Sequence, residues 1–245
     1  MKFPKQLDPH PLRDTYVQIR YSTLNNISFE LLKGVFFQKL RGRYKFQNDW
    51  DDRFDQLNLP SILSFAPDYS RLRFSTTEPN PKTVQFGSGF ILFNAGKAYD
   101  GWDTYLDFIR EVLQVVLTLE EVESFDWAGL RYISEFPETS ILDKLQEEFC
   151  YFSDDFKYKN TTFRTEYSED KKHVVLNLAN NLVPTETAAA KFYSLTDIDV
   201  SMGFVPTRSL VEVVETLREL HALEKEIFFG RLLKPSFIDT LNPEY

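Results

Sequence analysis

The chain has 245 residues, of which 42% are hydrophobic and 27% are charged, and its net charge is −9 at pH 7. A chain of this length and composition can bury a core large enough to fold without a disulfide framework. The acidic balance, with no run of Lys or Arg, disfavours generic nucleic-acid binding, and no stretch approaches the ~20 apolar residues of a membrane span.

The first half of the chain is predicted to form one strand, two helices and a group of short strands. Alternation of apolar and polar residues predicts a strand over 15–22, and helical spacing of apolar residues predicts helices over 27–42 and 100–121. Residues 47–70 are irregular and acidic, and we interpret them as a loop insertion. Three short strands are expected before the second helix, at 71–77, 83–88 and 90–95.

The second half repeats this order of elements. It begins with a predicted strand over 124–136 and a predicted helix over 140–152. It ends with a long helix over 209–233 and a tail over 234–245 that we expect to pack back over this helix. Further strands are expected between these helices, at 161–168, 173–180 and 191–204.

The shared order predicts a duplicated chain. We expect pseudo-repeats over 12–121 and 124–233 inside a single domain of residues 1–245. Such repeats would most simply form an α+β, two-layer fold, with one curved antiparallel sheet and helices on one face, like the TATA-binding-protein or helix-grip folds. A chance likeness stays open, because any two amphipathic helices can be aligned in this way.

Two arginines interrupt otherwise apolar strands, each followed by Tyr. Strand alternation places Arg20, Arg131, Trp127, Gly129 and Arg164 on the sheet face away from the helices. One interpretation is a lattice of cross-strand ion pairs. The other is a polar pocket or partner surface, in which the arginines bind an anion or carboxylate and Trp127 forms an aromatic wall. Gly129 either leaves room there for a ligand or another backbone, or marks a β-bulge.

Residues with distinctive chemistry are few. The three histidines, His10, His173 and His221, lack metal-ligand spacing, and no nucleotide-binding loop is present, so no metal or cofactor is expected. His221 lies on the apolar stripe of the last helix and is predicted to be a packing residue. The single cysteine, Cys150, and the lack of a signal-peptide pattern predict a cytoplasmic protein.

Four segments resemble a sporadically distributed bacterial family of about this length. They are "HPLRDTYVQIRYS", "GWDTYLDFIREVLQVV", "FDWAGLRYIS" and "LRELHALEKEIFFGRLLKPSF", of which the "GLRYI" strand and the mid-chain "GW" helix are the most specific. Ser134 departs from the family, which usually has Asn there. The resemblance implies no assigned activity or catalytic residues, and it implies mobile or defence-associated bacterial genes.

Three functions are therefore open. The first is a non-enzymatic binding or regulatory module of a bacterial system, with a protein or small ligand as its partner. The second is a small-ligand-binding protein with a polar and aromatic pocket on the sheet face. The third is an enzyme of unrecognised type, which requires a cluster of titratable groups with perturbed pKa values in a cleft.

Overall fold

One antiparallel sheet runs through the protein. The computed structural model describes residues 3–5, 7–47, 72–147, 160–183 and 191–245. The strands are β1 Leu12–Thr23, β2 Lys45–Gln47, β3 Leu72–Ser75, β4 Thr83–Gly87, β5 Phe90–Asn94, β6 Val122–Pro137, β7 Thr161–Glu169, β8 Lys172–Leu182 and β9 Tyr193–Thr207. Within the described residues these nine strands pair in the order β2-β3-β4-β5-β1-β6-β9-β8-β7.

The helices are α1 Phe29–Leu40, α2 Trp102–Val116, α3 Leu210–Lys225 and α4 Pro235–Asp239. A π-helical segment, Glu226–Leu232, continues directly from α3. At the start of α3 the hydroxyl of Ser209 accepts a hydrogen bond of 3.3 Å from the backbone N–H of Glu212, which satisfies one of the free donors of the first turn. No helix in the described ranges combines the length and the apolar character that crossing a membrane requires.

Strands β1 and β6 form the central pair of the sheet. Val17 lies opposite Leu130, and Ile19 lies opposite Ala128. Strand β5 lies next to β1 and strand β9 lies next to β6. Beyond β5 come β4, β3 and β2, and beyond β9 come β8 and β7, so on each side the strands nearer the sheet edge come earlier in the chain. The strand order is therefore alike on both sides of the central pair, except that β2 has no counterpart beyond β7 among the described residues.

The apolar core lies between this sheet and the helices. Alternate side chains of the central strands, such as Ile19 and Leu130, are fully buried in it. The long helices contribute Phe29, Leu32, Phe36, Leu40, Tyr105, Ile109, Val112, Leu113, Val116, Val213, Leu217 and Leu220 to the same cluster. Each large apolar side chain buried in this way contributes about 1.5–3 kcal/mol. The predicted α+β class, with one antiparallel sheet and helices, is confirmed.

The predicted helix over 140–152 is wrong where the chain is described. A short 3₁₀ turn, Ile141–Lys144, is followed by an extended Leu145 that bridges to Leu233. The backbone N–H of Gln146 donates to the carbonyl of Leu232 at 2.9 Å. Pairing with the end of the π-helical segment therefore replaces the local helical hydrogen bonds. The rest of that predicted helix, from residue 148, lies outside the described residues.

Two further predictions concern the insertion and the tail. All of the insertion 47–70 after residue 47 lies outside the described residues. The tail 234–245 contains α4 and contacts the start of the chain, since the backbone N–H of Asp8 donates to the carbonyl of Leu241 at 2.9 Å. Its Phe237 ring also packs against Phe136 of β6, with 5.6 Å between the ring centres.

Candidate functional site

The sequence-predicted site residues share one face of the sheet. Arg20 on β1 lies opposite Trp127 on β6, and Arg131 lies opposite Tyr16 in the same pair of strands. Directly opposed residues of antiparallel strands project to the same side. Arg164 of β7 lies opposite Asn177 of β8, which in turn lies opposite Asp197 of β9. Asp197 shares a face with Asp199, the residue opposite Arg131, so Arg164 is on that side as well. We call this surface, which faces away from the helices, the polar face.

Arg131 is engaged by a carboxylate of the same chain. Its Nε donates to Oδ1 of Asp197 at 2.7 Å, and its Nη2 donates to Oδ2 at 2.9 Å. Only 7% of Arg131 and 1% of Asp197 is exposed. The amide of Asn177 donates a further hydrogen bond of 2.9 Å to Asp197 Oδ2. This bidentate, buried geometry is the strong form of an arginine–carboxylate pair.

The polar network extends to the edge strand. Arg164 donates to the side-chain oxygen of Asn177 at 3.1 Å and also pairs with Glu166. Asp199, opposite Arg131, is half-buried, and burial raises its pKa to about 6 although the charge of Arg131 lowers it. Cross-strand hydrogen bonds thus link Arg131, Asp197, Asn177 and Arg164, whereas the Arg164–Glu166 pair lies within β7.

Trp127 occupies the space above Gly129. A Cβ built at residue 129 would lie 2.5 Å from the indole ring, so the missing side chain makes room for this ring. The guanidinium of Arg20 lies 4.4 Å from the centre of the same ring, which is a cation–π contact at an exposed position. The three residues therefore pack on one another.

A second site lies on the opposite, helical side. A cavity of about 840 Å³ opens between the N-terminal segment, the start of α2, the end of α3 and strand β6. Aromatic rings form much of its wall, and we call it the aromatic cavity after them: Phe3, Tyr99, Trp102, Tyr132, Phe228 and Phe229.

His221 and Glu224 lie one helical turn apart on α3 and both line the aromatic cavity. The imidazole stacks on Trp102 with 4.2 Å between ring centres and 19° between ring planes. Its Nδ1 lies 4.0 Å from Oε2 of Glu224, which exceeds hydrogen-bond distance. Within the described chain, Nδ1 of His221 has no hydrogen-bond partner.

Burial holds both groups in their uncharged forms near neutral pH. It lowers the pKa of His221 to about 3, and the charge of Lys225 acts in the same direction. It raises the pKa of Glu224 to about 8, against the opposing effect of Lys225. Only 6% of Glu224 is exposed. The cavity therefore contains a neutral imidazole and a neutral carboxyl that do not bond to each other.

Two tyrosines of the cavity lining, Tyr99 and Tyr132, bond to each other. The hydroxyls of Tyr132 and Tyr99 are 3.1 Å apart and hydrogen-bonded, and their rings meet edge to face. Burial raises the pKa of both phenols, so both remain donors at any ordinary pH. The centre of the Tyr132 ring lies 5.8 Å from the centre of the His221 ring.

This site was not predicted. Sequence patterns assign His221 a packing role and give no role to Glu224. The available signal is their position on the apolar stripe of α3, beside the buried leucines 220 and 223, where charged residues are rarely tolerated without a partner. The cavity itself depends on contacts between the two ends of the chain, which periodicity does not reveal.

Comparisons with known proteins add no function. No family model and no curated protein matches the chain. A solved structure titled "KH domains" is similar at 9% identity, with 94% of this chain and 67% of that chain covered and a TM-score of 0.21. A TM-score this low relates neither the folds nor the functions of the two proteins. Among the described residues, no group of three His, Cys, Asp or Glu side chains could hold a metal ion.

Proposed function

We propose that the protein is a non-enzymatic binding module whose ligand site is the aromatic cavity. The observation that carries this proposal is a cavity of about 840 Å³ lined by aromatic rings and by two polar side chains of α3. Within the described chain, the buried Nδ1 of His221 has no hydrogen-bond partner, and the buried Glu224 forms no ion pair with Lys or Arg. Small-molecule sites have volumes of about 300–1,000 Å³, apolar walls and a few polar groups that fix orientation.

The polar face supports a ligand site less well. Arg131 already has a bidentate partner in Asp197, and the space above Gly129 is filled by Trp127. An anion at Arg131 would have to compete with a carboxylate that is 1% exposed. Arg20 and Arg164 lie at exposed positions of this face and remain candidates for contact with a protein partner.

An enzyme is the second candidate, because perturbed titratable groups do occur together in this cavity. A general base works best with a pKa near the working pH. Burial gives His221 a pKa of about 3, so its imidazole is a weak base. Burial raises the pKa of Glu224 to about 8, which is near a working pH, so an enzymatic role would rest on Glu224 rather than on His221.

The wider context rests on the sequence. We propose a regulatory role in a bacterial, mobile or defence-associated system in the cytoplasm, as the family resemblance implies. We also propose that pseudo-repeats 12–121 and 124–233 arose by duplication, in the manner of TATA-binding-protein-like or helix-grip-like folds. The similar strand order on the two sides of the β1–β6 pair, β5-β4-β3 and β9-β8-β7, supports this origin.

A cavity-filling variant tests the binding function. Nile red, an uncharged dye that fluoresces in apolar sites, should bind the wild-type protein with a saturable signal. Ala222→Phe places a ring at the cavity wall and should abolish that signal. Val211→Phe, on the same helix and 70% exposed outside the lining, is the matched control and should leave the signal unchanged. Equal dye binding by both variants would refute the proposed site.

A further inference from the structure

We propose that the aromatic cavity binds a small organic cation, a protonated amine carried on an apolar or aromatic group, with Glu224 as its carboxylate partner. This inference rests on the proposed function and names its class of ligand. Three observations support it: an unpaired buried carboxyl, walls made of aromatic rings, and the pairing of the surrounding charges.

Glu224 is a buried acid without an internal counter-ion. It lines the cavity, only 6% of it is exposed, and in the described ranges no Lys or Arg forms an ion pair with it. The nearest cation along the chain, Lys225, has its ammonium 5.9 Å from the centre of the Phe229 ring. A buried carboxyl in this position gains most from a ligand that brings both a positive charge and N–H donors.

The aromatic walls favour the same charge. The faces of Trp, Tyr and Phe rings carry partial negative charge and attract cations within about 6 Å of their centres. Trp102, Tyr99 and Tyr132 line the cavity; Trp102 and Tyr132 contact the imidazole of His221, and Tyr99 packs against Tyr132. The apolar part of an amine would bury against the same rings, as alkylammonium groups do in aromatic cages.

The other charges at the cavity do not compete strongly for this role. Three of them are already paired: Asp100 with Lys82, Arg218 with Glu215 and Glu226 with Arg231. Lys5 is exposed at the cavity mouth. An anionic ligand would meet Lys5 at the rim and Lys225 beside Glu224, whereas a cationic ligand could pair with the buried carboxyl of Glu224 itself.

Binding of an amine should release a proton. Because burial raises the pKa of Glu224 to about 8, its carboxyl carries a proton at pH 7 in the free protein and must lose it to pair with an ammonium. The other titratable and charged groups of the cavity lining, besides the three that are already paired, come from α3, from α2 and the turn before it, from β6 and from the N-terminal segment: His221, Lys225, Tyr99, Asp103, Tyr132, His10 and Lys5.

The experiment compares three ligands of one shape by calorimetry: naphthylmethylamine, naphthylmethanol and naphthoate. At pH 7 the wild-type protein should bind the amine at least about tenfold more tightly than the alcohol, which corresponds to ~1.4 kcal/mol. The amine should also release about one proton, measured from the difference in heat between buffers of different ionisation enthalpy.

Two variants of α3 separate charge from structure. Glu224→Gln should reduce amine affinity to that of the alcohol and abolish the proton release, because the amide cannot ionise. Glu219→Gln is the matched control, since Glu219 is 59% exposed and pairs with Lys172 instead. It should bind the amine like the wild type. Urea unfolding of both variants checks that they fold.

The possible failures are distinguishable. If Nile red binds but the alcohol or naphthoate binds as tightly as the amine, the cationic class is wrong and the cavity function stands. Amine binding without proton release, or unchanged in Glu224→Gln, also overturns the role of Glu224. If neither Nile red nor any of the three ligands binds, the proposed function is wrong as well.

Discussion

Replacing Arg131 should show that the polar face holds the fold together. In Arg131→Met the carboxylate of Asp197, which is 1% exposed, loses two charge-assisted hydrogen bonds of 2.7 and 2.9 Å. Removing one partner of a buried pair costs about 3–5 kcal/mol, because the remaining charge is left without compensation. For a chain of this size the corresponding fall in Tm is about 6–20 °C.

A partly exposed ion pair on the same sheet provides the comparison. Arg13 and Glu135 also form an ion pair of 2.9 Å between neighbouring strands, but their side chains are 28% and 35% exposed. Arg13→Met should cost only ~0–1 kcal/mol, because water solvates the remaining carboxylate. The contrast between the two variants therefore measures burial rather than the loss of an arginine.

The assay is equilibrium unfolding in urea. The dependence of the free energy of unfolding on urea concentration must be equal in all variants, because only then do differences in midpoint report differences in stability. Adding Asp197→Asn to Arg131→Met removes the stranded charge and keeps an oxygen that can accept from Asn177. The double variant should recover at least about 1 kcal/mol. If Arg131→Met loses no more stability than Arg13→Met, the lattice is not structural, and a ligand role for Arg131 regains support.

The remaining predictions concern pH and packing. The pKa of Glu224 is raised from 4.5 to about 8, so its contribution to stability is lost as pH rises through that window. The pKa of His221 is lowered from 6.5 to about 3, so its contribution is lost as pH falls through that window. The two effects oppose each other between about pH 4.5 and 6.5. Above this range the free energy of unfolding, measured with urea, should fall with rising pH, and Glu224→Gln should remove this fall. Below the range it should fall with falling pH, and His221→Asn should remove that fall. Glu224→Leu should raise the free energy of unfolding by about 1–3 kcal/mol at pH 8, since it removes a buried polar group without a partner. Gly129→Ala should displace the indole of Trp127, which the fluorescence spectrum would show, and should lower the free energy of unfolding by about 1 kcal/mol. In a Trp127→Ala background the same substitution should leave the urea midpoint unchanged.

The faces of the strands could be predicted from the sequence, because side chains alternate along a strand whatever its neighbours are. This is why Arg20, Arg131 and Arg164 were placed correctly on the side away from the helices. The partner of Arg131 was not predictable, since Asp197 lies 66 residues away and meets it only through the pairing of β6 with β9. The contact between Trp127 and Gly129 could have been predicted from the sequence, because residues two apart on a strand share a face.

The failures have a common physical cause. The helical periodicity at 140–152 is local, whereas the extended Leu145 is fixed by its bridge to Leu233, far along the chain. The aromatic cavity is likewise formed by Phe3 near one end of the chain and Phe229 near the other. Local patterns carry no information on such long-range contacts, so they predicted elements well and predicted the candidate site poorly.

The two sides of the sheet differ in whether a buried acidic side chain has hydrogen-bond partners within the chain. On the polar face, Asp197 has an arginine and an amide within hydrogen-bond distance, so the chain itself satisfies this carboxylate. On the helical side, Glu224 is almost as buried, yet no described residue bonds to it. A fold that can pair one buried acid could have placed an apolar residue at the other site, with a gain in stability. Polar groups retained against stability are typical of sites that bind something, because the ligand supplies the missing partner. The contrast between Asp197 and Glu224 is therefore the strongest physical reason to look for a ligand on the helical side.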